Sequence, residues 1–349
     1  MPSGRGQPAR GGALPSGRAQ PARGGALPSG RTARGSAARR IAGLSIRVVR
    51  PRPPETACHP REVPPRRPSP IGVHAPVAGG LIHGALGHCR DVGAEALQVF
   101  VSNPRGWARP PADPRVDGEF RELCAAARIP VFVHAPYLVN LGSPTPTTLE
   151  NSVLAVRYTL ARAAAIGARG IVVHAGSAVS SSGRDLAAKQ VREALLPILD
   201  EIPEDGPLLL IEPTAGGGQS LASRIEDLPA YLENVEAHPR LGICIDTCHL
   251  FAAGHDIASP GGMRATLNAL IRAIGRRRLK LVHANDAKAE LGSQRDAHER
   301  IGRGRIGVEP FRELFRHPAT SGIPIVLETS GKVAENREDV ALLKKLREG

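Results

Sequence analysis

Short apolar runs recur through most of the chain, and most of them end in a side chain that can bind a metal. Runs of this length fit β-strands that are covered on both faces. The eight runs are IGVH (71–74), LQVFVSN (97–103), VFVH (131–134), IVVH (171–174), LLLIE (208–212), GICID (242–246), KLVH (280–283) and IPIVLE (323–328). Seven of them stop at His, Glu or Asp, and the second stops at Asn. Polar groups at the C-terminal ends of parallel strands are where a barrel carries its chemistry.

Helical patterns alternate with these runs. Apolar residues recur at helical spacing over 149–166 and 184–199, and Gly167 fits a helix stop. Weaker patterns predict helices at 79–92, 116–127, 225–236, 263–275, 309–316 and 335–347. Strand-then-helix alternation repeated eight times over 71–349 predicts one (β/α)8 TIM barrel. An open doubly wound sheet is the rival α/β architecture. It fits less well because no GxGxxG motif follows the first strand.

Residues 1–70 have a different composition and charge from the rest. They open with a 13-residue repeat of Gly, Pro, Ala, Ser and Arg, which predicts a disordered low-complexity tail. The chain holds 46 basic and 33 acidic residues, of which the tail holds 14 and 2. The predicted domain therefore keeps 32 and 31, a net charge of only +1. Three interpretations of the tail stay open: a solvated extension or misassigned start, a phosphate-binding arm, or a transit peptide.

The cysteine content and the hydropathy indicate the redox compartment of the protein and whether it spans a membrane. The five cysteines are Cys58, Cys89, Cys124, Cys244 and Cys248. An odd, sparse set without CxxC indicates a reducing compartment rather than a disulfide framework. Cys244 and Cys248 flank Asp246, and we interpret both as packed core residues rather than ligands. No stretch approaches 18 consecutive apolar residues, so no membrane span is predicted. The sequence carries no oligomer signal, and a monomer is the default.

The polar strand ends favour a metal centre. Each one alone has a simpler explanation, as a hydrogen-bonded histidine or a helix cap. Seven of them at one face of a barrel would bury several carboxylates together, which is costly without a cation. The motif DTCH adds His249, and RDAH adds Asp296 and His298, at spacings that can chelate one ion. The mixture of histidine and carboxylate favours zinc over magnesium or calcium, with manganese and iron as alternatives.

Longer motifs carry a resemblance to a known family. They are VHAPYLVNLGSP (133–144), IVVHAGS (171–177), IEPTAGGG (211–218), GICIDTCHLFAAGHD (242–256), LVHANDAK (281–288), RDAHERIGRGRIG (295–307) and IVLETS (325–330). From about Ile71 to the C-terminus the sequence resembles the endonuclease IV family. The resemblance implies a metal-dependent apurinic/apyrimidinic endonuclease of base-excision repair. It further implies a bacterial cytoplasmic protein that meets the nucleoid through duplex DNA containing abasic sites.

The resemblance also implies a trinuclear zinc centre. By motif, the ligands are His134, His174 and Glu212 for the first zinc, Glu212 (bridging), Asp246, His283 and Glu328 for the second, and His249, Asp296 and His298 for the third. Glu212 is the catalytic residue of this assignment. Three Zn²⁺, four carboxylates and one hydroxide leave a charge of about +1, which suits one phosphodiester. A metal-bound hydroxide would cut 5′ of the abasic sugar and leave a 3′-hydroxyl.

Recognition of the lesion is expected from loops after the strands. The resemblance implies that Arg105, Tyr137 and Leu138 enter the DNA helix, where an abasic nucleotide has little stacking to lose. His74 is expected to line the lesion pocket without binding metal. Three positions depart from the family pattern: Gly106, Pro213 and Arg303. Salt-sensitive DNA contacts are expected from Arg105, Lys288, Arg295, Arg300, Arg303 and Arg305.

Two other functions stay open at this point. A metal-dependent sugar isomerase or epimerase uses the same barrel with one or two metals, and would not need Asp296 and His298. A catalytically silent nucleic-acid-binding protein would tolerate loss of the ligands, all nine of which are present.

Overall fold

The computed structural model describes residues 67–329 and 331–349, and the eight predicted strands form a closed parallel barrel. With two short strands outside the barrel, the described residues form ten strands: β1 (Ile71–His74), β2 (Ala96–Val99), β3 (Val131–His134), β4 (Gly170–His174), β5 (Leu208–Glu212), β6 (Leu241–Asp246), β7 (Leu279–His283), β8 (Asp286–Ala287), β9 (His298–Glu299) and β10 (Ile325–Leu327). Around the barrel the order is β1-β10-β7-β6-β5-β4-β3-β2, while β8 and β9 form a separate antiparallel ribbon. The predicted TIM barrel is confirmed. Most of the predicted tail, residues 1–66, lies outside the described residues.

Helices follow the strands, as the alternation predicts. They are α1 (Gly87–Asp91), α2 (Pro114–Ala126), α3 (Pro146–Ala165), α4 (Arg184–Asp200), α5 (Leu228–Asn234), α6 (Thr247–Ala252), α7 (Gly262–Ile274), α8 (Glu309–Arg316) and α9 (Val333–Glu348). The predicted helix at 79–92 is a π-helical segment, Gly80–Leu86, continued by α1. The one predicted at 225–236 is a 3-10 turn, Ile225–Asp227, continued by α5. Further 3-10 turns are Ser181–Gly183, Gly217–Gln219 and Pro318–Thr320. No helix of the described part is long and apolar enough to cross a membrane.

The second strand is shorter than its apolar run. The run continues to Asn103, but β2 ends at Val99. Beyond it the chain leaves the sheet and crosses toward the loop after β3, where the Tyr137 N–H donates to the Pro104 carbonyl at 2.9 Å. Phe100 lies in this crossing segment, and its ring packs 4.5 Å from the His74 ring. The expected polar strand end at Asn103 was therefore wrong.

An apolar layer fills the barrel interior and fixes where the polar strand ends point. The buried members of this layer are Ala96, Phe132, Val172, Leu210, Cys244, Leu281 and Val326. Side chains two residues apart on a strand share a face. Each of these residues is followed two positions later by a polar one. Those partners are Gln98, His134, His174, Glu212, Asp246, His283 and Glu328. The strand period thus stacks a polar ring on the apolar layer. Cys244 belongs to the apolar layer and Cys248 is also fully buried, which confirms both as packed residues.

Candidate metal centre and DNA-facing rim

Glu212 lies at the centre of the polar ring and is completely buried. Its Oε2 is 3.3 Å from Nε2 of His134 and 3.7 Å from Nε2 of His174. Its Oε1 is 3.0 Å from Nδ1 of His283 and 3.3 Å from Nδ1 of His249. The two carboxylate oxygens therefore face different histidines, which is the arrangement needed for a residue that bridges two cations.

The structure brings the nine predicted ligands into three sets whose ligand atoms lie within 4.8 Å of one another. The sets are His134, His174 and Glu212; Glu212, Asp246, His283 and Glu328; and His249, Asp296 and His298. Two further sets of this kind include Cys244 or Cys248. Burial raises the pKa of each of these thiols to about 12, so both stay protonated at neutral pH. The thiolate is the metal-binding form of cysteine, and the His and carboxylate sets are better candidates.

Outer hydrogen bonds fix which nitrogen several of these histidines present to the centre. Nδ1–H of His134 donates to the Ala135 carbonyl at 2.7 Å, and Nδ1–H of His249 donates to the Pro213 carbonyl at 3.1 Å. Nε2–H of His283 donates to Oε1 of Gln98 at 2.9 Å. Metal-binding histidines in proteins are held in this way. Each ring therefore turns its other nitrogen toward the carboxylates.

The third ligand set, His249, Asp296 and His298, contains two buried ring nitrogens whose hydrogen bonding is not satisfied by the described residues. Nε2 of His249 and Nε2 of His298 are buried and lack a hydrogen-bond partner of good geometry among the described residues. Carboxylate oxygens of Asp296 lie 3.3 and 3.0 Å from these nitrogens. Buried polar atoms without a partner are uncommon in proteins, and a cation at this position would give both nitrogens a partner. The donor set, two imidazoles and one carboxylate, fits a zinc-type cation.

Burial and charge act against each other throughout the centre. Burial lowers the pKa of His174 to about 4, so its ring is neutral at pH 7. Burial opposes ionisation of Glu212 and Glu328, but His283 outweighs it and holds the pKa of both carboxyls well below the usual range. Burial also opposes protonation of His298, but the carboxylate of Asp246 raises its pKa to about 9. Carboxylates at this density require cationic partners, and divalent metals can serve as those partners with the imidazoles neutral.

The sequence analysis assigned no role to Asn285, although it lies inside the motif LVHANDAK, two residues after His283. It is fully buried. Its Nδ2 donates to Oδ2 of Asp246 at 2.6 Å and to Oε2 of Glu328 at 3.4 Å, while its Oδ1 accepts the Glu328 N–H at 2.9 Å. The Thr247 hydroxyl donates to the Asn285 carbonyl at 2.6 Å. Asn285 thus orients two carboxylates of the second set.

Asp286 anchors the loop beyond the ribbon that carries His298. Its fully buried carboxylate accepts backbone N–H groups from five residues: Ala287, Gly302, Gly304, Ile306 and Gly307, at 2.8–3.2 Å. A Cβ at position 304 would lie 2.5 Å from Oδ1 of Asp286. The glycines of GRGRIG therefore let the backbone approach this carboxylate closely.

We expect Asp286→Ala to destabilise the fold by about 3 kcal/mol, because it leaves several buried N–H groups without an acceptor. Urea denaturation at neutral pH measures this as a lower transition midpoint. Asp205→Ala is the control, since Asp205 is exposed and its loss should leave the midpoint within error. Equal midpoints for the two variants would contradict the anchoring role.

The predicted lesion-contacting residues lie on the rim beside the first ligand set. Tyr137 is 50% exposed, and its ring centroid is 5.6 Å from that of His134. Leu138 and Arg105 are also exposed. His74 is mostly buried, and its Nδ1 lies 3.2 Å from Oε1 of Glu328. Tyr137 and His74 thus lie beside the polar ring, Leu138 adjoins Tyr137 in the chain, and Arg105 adjoins Pro104, whose carbonyl accepts the Tyr137 N–H.

Arg300 is a correction to the predicted DNA-facing cations. Its Nε donates to Oδ2 of Asp339 at 3.1 Å, and its Nη2 donates to Oδ1 of the same carboxylate at 3.0 Å. A further bond at 2.7 Å joins Nη2 to Glu338. Arg300 therefore ties the loop after β9 to helix α9 and is not a free surface cation. Arg305 pairs with Glu290 at 2.7 Å. Five of the six predicted cations stay exposed: Arg105, Lys288, Arg295, Arg303 and Arg305.

Comparisons with known proteins agree with the predicted resemblance. Residues 86–346 match a family described as xylose isomerase-like TIM barrel. A probable endonuclease 4 from Streptomyces avermitilis is 55% identical over 282 residues, which cover 80% of this chain and 91% of that protein. One from Streptomyces coelicolor is 54% identical, with 80% and 96% covered. The crystal structure of endonuclease IV from Thermus thermophilus superposes with a TM-score of 0.71 at 33% identity, covering 80% of this chain and 99% of that chain. An Escherichia coli 3-keto-D-glucoside 4-epimerase, at 17% identity and a TM-score of 0.59, shares the fold alone. The chain belongs to the endonuclease IV family.

Proposed function

We propose that this endonuclease IV-family protein hydrolyses the phosphodiester on the 5′ side of an abasic site in duplex DNA and leaves a 3′-hydroxyl. The observation that carries the proposal is the grouping of the nine residues into three ligand sets, two of which share Glu212. Such a centre offers a ligand set to each of three cations, which together could bind one phosphate. We further propose zinc as the metal, since imidazole and carboxylate donors at this ratio favour it.

The residues of the chain have separable tasks in this proposal. Three bound zinc ions would supply charge neutralisation at the phosphate and a lowered pKa for water. Glu212 holds two ligand sets at a fixed separation through its two oxygens. Gln98 and Asn285 hold the second set in place from outside, and burial of the ring limits access of bulk water. His74 offers its buried Nε2, which has no partner among the described residues, to an oxygen of the bound substrate.

The rim supplies contacts to the DNA. Tyr137 and Leu138 stand exposed beside the first ligand set, where an apolar wedge would fill the gap left by an unstacked abasic nucleotide. Arg105 lies in the loop whose Pro104 carbonyl accepts the Tyr137 N–H. This hydrogen bond holds the loop that carries the Arg105 cation next to the apolar wedge formed by Tyr137 and Leu138. The exposed cations would make binding salt-sensitive. We take the protein to act as a monomer in the bacterial cytoplasm, meeting the nucleoid through DNA.

A sugar isomerase or epimerase is the alternative for this barrel. Its support is the fold-level likeness to epimerases. Residues His249, Asp296 and His298 form a set outside the barrel strands, and a one- or two-metal sugar enzyme has no use for it. The third set is what favours the nuclease.

The proposal is tested with the full chain, purified without chelator. We expect about three zinc ions per chain by mass spectrometry of the metals. The protein should nick a 5′-labelled duplex at a single abasic site without added magnesium, and a DNA polymerase should extend the nicked strand. Folded, metal-replete protein that leaves this duplex intact would sink the proposal. One manganese per chain together with sugar epimerisation would favour the alternative.

A further inference from the structure

Gln98 is the member of the polar ring that carries no titratable group. It lies on β2, two residues after Ala96 of the interior apolar layer, and its side chain is fully buried. On the neighbouring strand β1, His74 is its register partner. An amide at such a position costs free energy unless its hydrogen-bonding capacity is met.

The amide of Gln98 is bonded on both sides. Its Oε1 accepts the Nε2–H of His283 at 2.9 Å. Its Nε2 donates to Oε1 of Glu328 at 2.6 Å and to Nδ1 of His74 at 3.0 Å. Two N–H groups and one carbonyl are thus matched by two acceptors and one donor. One side chain contacts two members of the second ligand set.

These bonds determine which atoms of His283 and Glu328 face the second ligand set. With Nε2 of His283 occupied, Nδ1 faces Oε1 of Glu212 at 3.0 Å and Oε2 of Glu328 at 3.1 Å. With Oε1 of Glu328 occupied, Oε2 is the oxygen turned toward the second set. The amide cannot be reversed, because its nitrogen would then meet a donor and its oxygen would meet a carboxylate.

We propose that Gln98 is a positioning residue of the second metal site, which presents Nδ1 of His283 and Oε2 of Glu328 to one cation. The same amide nitrogen lies 3.0 Å from Nδ1 of His74, whose Nε2 is the nitrogen offered to substrate. This inference rests on the proposed function. Groups that hold metal ligands in this way typically contribute 10- to 100-fold in metal affinity.

The test is release of zinc from the loaded, full-length protein to a coloured chelator. Gln98→Met keeps the size and removes all three hydrogen bonds. We expect one of the three zinc ions to leave roughly 10- to 100-fold faster, with the other two unchanged. Gln190→Met on α4 is the matched control and should release all three as wild type does. Nitrogen NMR of His283 adds a readout, because loss of its fixed tautomer should change the Nε2 signal.

Gln98→Glu serves as a second variant, in case the methionine variant does not fold. It keeps an acceptor for His283 but places a carboxylate against Glu328, so the same zinc should leave faster. Wild-type release kinetics in a folded variant would overturn the role of Gln98. Faster release together with a wild-type protein that nicks no DNA would support Gln98 and refute the proposed function. A wild-type protein that binds no zinc would overturn both.

Discussion

Glu212→Gln should lower nicking of an abasic duplex by about 10³-fold or more while the barrel stays folded. Glu212 belongs to two ligand sets and directs one oxygen toward each. Glutamine has the same shape, but its amide nitrogen cannot ligate a cation and its side chain carries no charge. The substitution therefore weakens two of three metal positions at once. No other residue of the nine is shared in this way between the three predicted sets.

Two measurements on the same preparation separate this effect from unfolding. Metal analysis should show zinc falling from about three toward one per chain, since the set of His249, Asp296 and His298 does not include Glu212. Circular dichroism should be unchanged. Glu193→Gln on α4 is the control, because Glu193 is 64% exposed and, within the described part of the chain, forms an ion pair with Lys189 alone. A Glu212→Gln protein that keeps three zinc ions and wild-type turnover would refute the bridging assignment.

The sequence predicted best those side-chain positions that depend on the two-residue period of a β-strand. Once Leu208–Glu212 and its equivalents are strands, alternation alone places Glu212 above Leu210 and His283 above Leu281, so the polar ring follows from local pattern. The ring member on β2 was missed because its apolar run continues through Phe100 to Asn103. That strand ends where the chain turns to contact the loop that contains Tyr137, which is distant in sequence. No local pattern contains that contact.

Short elements and long-range pairs account for the other differences. Helix α6 has six residues, and the ribbon strands β8 and β9 have two each, too short for any periodicity to be visible. The structure places His249 in the first turn of α6 and His298 in β9. Arg300 resembled a DNA contact because its partner Asp339 lies 39 residues away on α9. The sequence gives no sign of the anchoring role of Asp286, because four of its five backbone donors lie 16 to 21 residues away.

The second large effect is expected at the third set, which distinguishes a three-metal phosphodiesterase from an ordinary metal-dependent barrel. Asp296 lies between His249 and His298 and is 53% exposed, on the open side of the centre. Burial opposes its ionisation, but His249 and His298, whose Nε2 atoms lie 3.3 and 3.0 Å from its oxygens, outweigh this and hold the pKa of Asp296 well below its usual range. It is therefore a carboxylate across the working pH range, available to a cation.

We expect Asp296→Asn to lower nicking by about 10²-fold or more and to reduce zinc from about three to two per chain. The first two sets contain no atom of Asp296, so their metals should be retained, unlike those of the Glu212 variant. Asp205→Asn, an exposed carboxylate far along the chain from all three sets, should change neither quantity. If Asp296→Asn keeps full turnover while wild type holds only two metals, the third set has no part in catalysis. The centre would then be the one- or two-metal type that sugar isomerases use, because the other two sets alone do not tell the two chemistries apart.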